Sequence, residues 1–186
     1  RGRSYGLELS AQKTLTGRVF GLASYTLFWS EFQNRGSNEY VRSAWDNRHL
    51  VTITGGVLLD KKKTWELSAK WRFLGGAPYT PWDIPASIEA YPVTGQGVPD
   101  ADRINTEETG VFNSLDVRLD KKWFFNKWSL NLYLDIQNVT NSPNSEAPAF
   151  TLARNDAGEF VRPPQARLVS VDGGTVLPSI GLIVKF

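Results

Sequence analysis

Leu177-Pro178-Ser179-Ile180-Gly181-Leu182-Ile183-Val184-Lys185-Phe186 closes the chain and decides how the rest is read. Ile180, Leu182, Val184 and Phe186 alternate with Gly181, Ile183 and Lys185, which is the period of a β-strand with one apolar face. Chain ends ordinarily fray into solvent as polar tails. An apolar strand that runs to a terminal aromatic residue is expected to have that residue held by something outside the ordinary run of a soluble fold.

Working back from this strand, the same alternation recurs. Trp65, Leu67, Ala69, Trp71 and Phe73 interleave with Glu66, Ser68, Lys70 and Arg72, without a single exception. Leu115, Val117, Leu119 and Trp123 oppose Asp116, Arg118, Asp120 and Lys122; Trp128, Leu130, Leu132, Leu134 and Ile136 oppose Ser129, Asn131, Tyr133, Asp135 and Gln137. Earlier strands are expected from Arg3 to Lys13, from Arg18 to about Phe32 and from Asn47 to Leu59, the second with Phe20, Leu22 and Phe28 intruding on its polar face. Seven strands result. Their runs of about 9 to 13 residues exceed the common soluble length of about 5 or 6 and match the roughly 9 to 11 that a tilted strand needs to cross a bilayer.

The connections alternate in length. Short turns fall at Leu15 to Gly17, at Asp60 to Lys63 and near Phe125 to Lys127; long segments follow Phe32, Phe73 and Val139. The stretch Gly75 to Val111, with five prolines, breaks all periodicity and reads as one loop. A loop that long counts against a compact soluble domain, whereas membrane barrels carry short turns on one rim and long loops on the other. Counting back from the last strand puts all three tight turns on the side where Phe186 ends.

Composition agrees with this reading and excludes others. The 186 residues hold seven Trp, six Tyr and ten Phe but no Cys or Met. Trp65, Trp123 and Trp128 stand beside the short turns and Trp29 and Trp71 toward the long loops, as interface aromatics of a barrel would. No apolar run approaches the roughly 18 residues of a membrane helix; alternating barrel strands are not excluded by that. A net charge of +2 and the lack of a basic, aromatic-interleaved cluster give no reason to expect nucleic acid. Arg1 is not methionine and alternation is already under way there, so the chain is expected to be a piece or a processed product.

Candidate chemistry is sparse. His49 is the single histidine and has no metal-ligand or catalytic partner in the sequence, so a structural role is expected. No nucleophile elbow, phosphate loop or paired carboxylates stand out, so no enzyme activity, cofactor or metal is expected. The loop from Ala77 to Val111 carries Asp83, Glu89, Asp100, Asp102, Glu107 and Glu108 against Arg103 alone, a balance that favours cationic ligands. Tyr79, Trp82 and Tyr91 add flat apolar surface, which with Asp100 and Asp102 makes a candidate ligand-facing set. Asp100, Asp102 and Asn105 have oxygen-ligand character but lack the glycine and distal glutamate of a calcium loop. Glu66, Lys70, Arg72, Asp116, Arg118 and Asp135 share the polar face, with Arg118 expected diagonal to Asp135.

Ser179, Gly181, Val184 and Phe186 resemble the C-terminal assembly signal of bacterial outer-membrane β-barrels. The wider chain resembles the TonB-dependent outer-membrane receptors, especially those of Bacteroidota. That likeness rests on RGRSYGLEL at Arg1 to Leu9, SYTLFWSEF at Ser24 to Phe32, SAWDNRH at Ser43 to His49 and KWRFLGGAPYTP at Lys70 to Pro81. LDVRLDKKW from Leu115, LYLDIQNVTN at Leu132 to Asn141 and the terminal LPSIGLIVKF complete it. The resemblance implies an all-β, antiparallel transmembrane barrel of about 22 strands with a plugged lumen, of which residues 1–186 would be the C-terminal arc. It implies TonB-energised uptake of a siderophore, glycan, cobalamin or peptide in the bacterial outer membrane. Implied partners are outer-membrane lipid, the barrel-assembly machinery, a surface lipoprotein, and the TonB complex through an N-terminal plug not present here. A passive porin or adhesin barrel, and a soluble all-β binding module, remain open alternatives.

Overall fold

Alternation at period two builds one antiparallel sheet. The computed structural model describes residues 1–34, 36–170 and 173–186. Its long strands are β1 (Gly2–Thr16), β2 (Val19–Phe32), β3 (His49–Leu58), β4 (Trp65–Leu74), β5 (Phe112–Phe124), β6 (Ser129–Gln137) and β7 (Leu177–Lys185). Each pairs antiparallel with its neighbours in sequence, so the sheet is a simple meander, to which Val41–Arg42 adds a short pairing at the end of β2. Among the described residues β1 and β7 each have one partner strand, and they do not pair with each other; no closed barrel is formed.

The three tight turns are set locally. Gly17 takes φ 68° between β1 and β2, a left-handed position suited to glycine. Between β3 and β4, Asp60 closes the turn: its Oδ1 accepts from the backbone N–H groups of Thr64 (2.7 Å) and Trp65 (2.9 Å), and its Oδ2 from the Thr64 hydroxyl (2.8 Å). The Trp65 N–H foremost holds this carboxyl below its usual range. At the β5–β6 turn Phe125 N donates to Trp128 O, and the two rings stack at 4.1 Å.

Three boundaries differ from the sequence expectation. β1 extends to Thr16 because the pairing shifts between Lys13 and Thr16; this irregularity carries Leu15 to the polar face and leaves the turn to Gly17 and Arg18. β3 starts at His49, not Asn47, because Arg48 adopts φ 65° and breaks the extended backbone. The segment from Gly75 to Val111 is no plain loop: it holds the helix α1 (Ile84–Thr94) and short pairings of Pro78–Tyr79 with Glu107–Glu108 and of Trp82–Asp83 with Val98–Pro99. Prolines read as breakers here include a helix starter. Pro85 occupies the first turn, where a missing N–H costs nothing, and Asp83 caps it by accepting from Ala86 N at 3.0 Å.

Among the described residues no second layer packs against the sheet. Its strands contact their in-sheet neighbours, while the main contacts of α1 among the described residues are with short strands of the long loops. Leu58, Phe150 and Leu152 are the buried apolar side chains among the described residues, and two of these lie outside the sheet. A soluble domain of comparable size buries about 70% of its unfolded surface around one core. This sheet leaves many of its apolar side chains exposed.

Candidate functional site

Register converts the alternation into two continuous surfaces. On the first, Val19, Val57, Leu67, Leu119, Leu134 and Ile180 line up across six strands as direct cross-strand partners. Parallel rows run through Ala23, Ile53, Trp71 and Leu115, and through Gly55, Ala69, Val117, Ile136 and Pro178. Leu7, Leu9, Ile53, Leu67, Leu134, Ile180, Leu182 and Val184 on this surface are all exposed, Ile180 at 73%. Contiguous exposed apolar surface of this kind marks an interaction face.

Aromatic residues bound this face at both ends. Trp65, Trp123 and Trp128 are part-exposed beside the short turns, while toward the long loops Trp29 stacks on Tyr5 at 5.5 Å and Trp71 donates from Nε1 to Asn113 Oδ1 at 2.7 Å. His49 sits at the long-loop end, paired with the Tyr25 hydroxyl at 2.9 Å and stacked on its ring. Of the five sequence-selected tryptophans, Trp65 and Trp123 lie at or next to strand ends and Trp128 in the adjoining turn, whereas Trp29 and Trp71 lie three residues inside the long-loop ends of β2 and β4.

The second surface is polar and concave. A cavity of about 400 Å³ is bordered by Leu15, Leu58, Glu66, Lys122, Asn131 and Ile183, drawn from six strands, so the sheet curls toward this face. Three ion pairs lie on it. Glu66 and Asp120 stand directly opposite each other, and each is matched: Lys122 Nζ donates to Glu66 at 2.6 Å, and Arg118 forks onto both Asp120 oxygens at 2.8 Å, joined by Asn131 Nδ2 at 2.7 Å. Arg72 pairs with Asp116 at 3.0 Å, whose other oxygen accepts from Ser114 and from Asn138 N.

Arg118 lies directly across from Asp135, not diagonal to it, and pairs instead with Asp120 on its own strand while its guanidinium lies 3.8 Å from the centre of the Tyr133 ring. A planar fork satisfied on both prongs and stacked on a ring outcompetes a single cross-strand carboxylate. Lys70, Asp135, Thr54, Ser68 and Gln137 border a further cavity of about 240 Å³ on this face. The six charges singled out from the sequence are thus brought onto one surface.

Gly181 of the terminal motif has a local task. It is the direct partner of Tyr133, and a Cβ there would fall 2.4 Å from the ring carbon Cζ, so the ring lies across the glycine. Phe20 covers Gly56 in the same way. Ser179 shares the concave face with Gly181, Val184 the apolar face, and Phe186 follows the end of β7 with its side chain wholly exposed.

At the far end the long loops interlock. Arg42 Nε donates to Asp46 Oδ2 at 2.9 Å and Arg42 also pairs with Glu108, while Arg48 reaches the same Asp46 oxygen at 2.9 Å. Asp46 is fully buried. Asn105 donates to Arg42 O at 2.6 Å and exchanges hydrogen bonds with Thr80, so its amide is committed to holding loops together.

Trp82 and Tyr91 pack on Phe150 with centroids at 6.3 and 5.5 Å; Trp82 Nε1 donates to Pro148 O and the Tyr91 hydroxyl pairs with Thr151. The candidate loop residues thus divide. Trp82 and Tyr91 join an internal cluster, Tyr79 lies in the short pairing with Glu107, Asp100 accepts from Asp102 N at 3.0 Å, and Asp102 is exposed. Of the loop acids, Glu107 pairs with Arg103, Glu108 with Arg42, and Asp83 caps α1. Sequence reasoning missed the Asp46 hub and the hairpin of Ala149–Leu152 with Ala166–Val169; the Arg42, Asp46 and Arg48 spacing was its visible trace.

No protein-family model, no curated protein and no solved structure matches the chain, and function is argued from the two faces and the rim.

Proposed function

We propose that the chain is the C-terminal arc of an outer-membrane β-barrel of the TonB-dependent receptor kind, with the first surface in lipid and the second lining the lumen. One observation carries this reading: the curled sheet is apolar outside and charged inside, the reverse of a soluble barrel or sandwich. Lipid rewards the exposed leucines and isoleucines, and the aromatic residues at both strand ends fit two interfaces. The bilayer also demands a partner for every edge strand, since unpaired backbone groups there cost several kcal/mol each. β1 and β7 each lack one such partner among the described residues, so further strands of a larger barrel, of about 22 in the receptor family, would supply them.

The lumen side favours a plugged receptor over an open pore. Phe20, Leu22, Phe28 and Leu50 lie on the polar face of β2 and β3, and Leu22 is 42% exposed. Apolar side chains in a water-filled channel gain nothing; against a plug they bury area. In this reading the plug lies elsewhere in the protein and receives energy from TonB, the barrel-assembly machinery reads Ser179, Gly181, Val184 and Phe186, and the interlocked loops meet a siderophore, glycan, cobalamin or peptide outside the cell, with or without a surface lipoprotein. Membrane fractionation tests the core of it. The protein is expected to stay in the membrane through carbonate washing and to need detergent to remain monodisperse; a monodisperse protein without detergent contradicts the reading.

A further inference from the structure

The apolar face carries a cation set between two tryptophans at its short-turn end. Lys121 belongs in register to that face, directly between Trp65 on β4 and Leu132 on β6. Its ammonium lies 4.7 Å from the centre of the Trp65 ring and 5.7 Å from that of Trp123, and Nζ donates to Thr64 Oγ1 at 2.9 Å. An ammonium has three donors. Among the described residues only Thr64 takes one, and no carboxylate pairs with it.

Lys121 borders an almost wholly apolar groove of about 370 Å³ that is also lined by Trp65, Leu119, Trp123, Leu132, Leu134 and Ile180. Exposed Lys61, Lys62 and Lys63 in the neighbouring turn add to the positive field at this rim, where Asp60 is already occupied by backbone N–H groups.

We propose that this groove holds one anionic glycerophospholipid of the leaflet at the short-turn side, its phosphate on Lys121 and an acyl chain along Leu119, Leu132, Leu134 and Ile180. The inference rests on the membrane reading above and adds a headgroup class and a place. Charge complementarity selects the occupant. A zwitterionic headgroup brings its own ammonium close to Lys121 and the turn lysines, whereas an anionic one satisfies the free donors and the surrounding field at the interface. The tryptophans flank the headgroup level, as they do at membrane interfaces.

Native mass spectrometry of the full-length protein, delipidated and titrated with phosphatidylglycerol, phosphatidylethanolamine or glycerophosphoglycerol without acyl chains, tests this. One phosphatidylglycerol is expected to be retained preferentially, with about fivefold weaker retention in Lys121→Gln, as one lost cation near the surface predicts. Lys121→Arg should preserve it, and Lys127→Gln, on the neighbouring turn, should leave it unchanged. Equal retention of both phospholipids, an unaffected Lys121→Gln variant, or equal binding of the chain-free headgroup overturns the lipid site while leaving the barrel intact. A protein that stays monodisperse without detergent and retains no lipid overturns both.

Discussion

The sheet and the long-loop rim dispose of their apolar side chains in opposite ways within one chain. At the rim, Phe150 and Leu152 are 7% and 2% exposed, and Trp82, Tyr91 and Phe160 gather around Phe150 or its neighbours as a small soluble core. In the sheet, Leu67, Leu134, Ile180 and Leu182 face outward uncovered. One region hides its apolar groups from water by folding them together; in the proposed setting, the other hides them in lipid. In that setting, burial of apolar side chains within the chain is a guide to stability mainly at the rim.

The largest expected effect lies in the rim core. Phe150→Ala should cost the loop cap about 3–5 kcal/mol, the usual range for removing a buried phenyl group. Limited proteolysis should then cut between residues 138 and 176 while membrane insertion is unchanged. If insertion fails as well, the rim core and the sheet do not fold independently.

Next comes Val117→Arg, at the middle of β5 on the apolar face. A charge at the bilayer midplane destabilises a barrel by about 2–4 kcal/mol. Refolding titrations into lipid vesicles should show that loss, whereas Ser68→Arg on the concave face should show far less. Equal penalties would erase the distinction between the two faces.

Much of this contrast was legible in the sequence because it is a property of single strands. Trp65 to Phe73 alternates without exception, and a strand so written can present only one face to each solvent. Tight turns, too, are local: Asp60 and Gly17 act within a few residues. The rim was opaque because its contacts join distant positions. Trp82 reads as exposed aromatic surface until Phe150 arrives to cover it, and α1 is hidden in a segment whose prolines mimic disorder. The shift between Lys13 and Thr16 was equally invisible, since a register irregularity alters which face Leu15 occupies without altering its hydrophobicity.

A smaller effect is expected inside the sheet. Gly181→Val would push a side chain into the Tyr133 ring; overpacking of this type costs about 1–3 kcal/mol. Lower thermal stability of the detergent-folded protein, partly restored by Tyr133→Ala, checks the pairing. The smallest concerns Asp60. Its depressed pKa means that its contribution is fully present above the ordinary carboxylate value and is lost as pH falls through the lowered folded value. Asp60→Asn should therefore flatten the acid limb of the stability profile and leave the rim untouched; an unchanged acid limb would remove the turn carboxylate from the account.

The most direct test of the central claim uses the absence of cysteine from the chain. Single substitutions from Ser114→Cys through Leu119→Cys along β5 can be spin-labelled one at a time in the reconstituted protein, and their access to oxygen and to a water-soluble nickel chelate compared. Oxygen access should peak at positions 115, 117 and 119 and fall at 114, 116 and 118. Access to the nickel chelate at 115, 117 and 119 would place the apolar face in water and contradict the account.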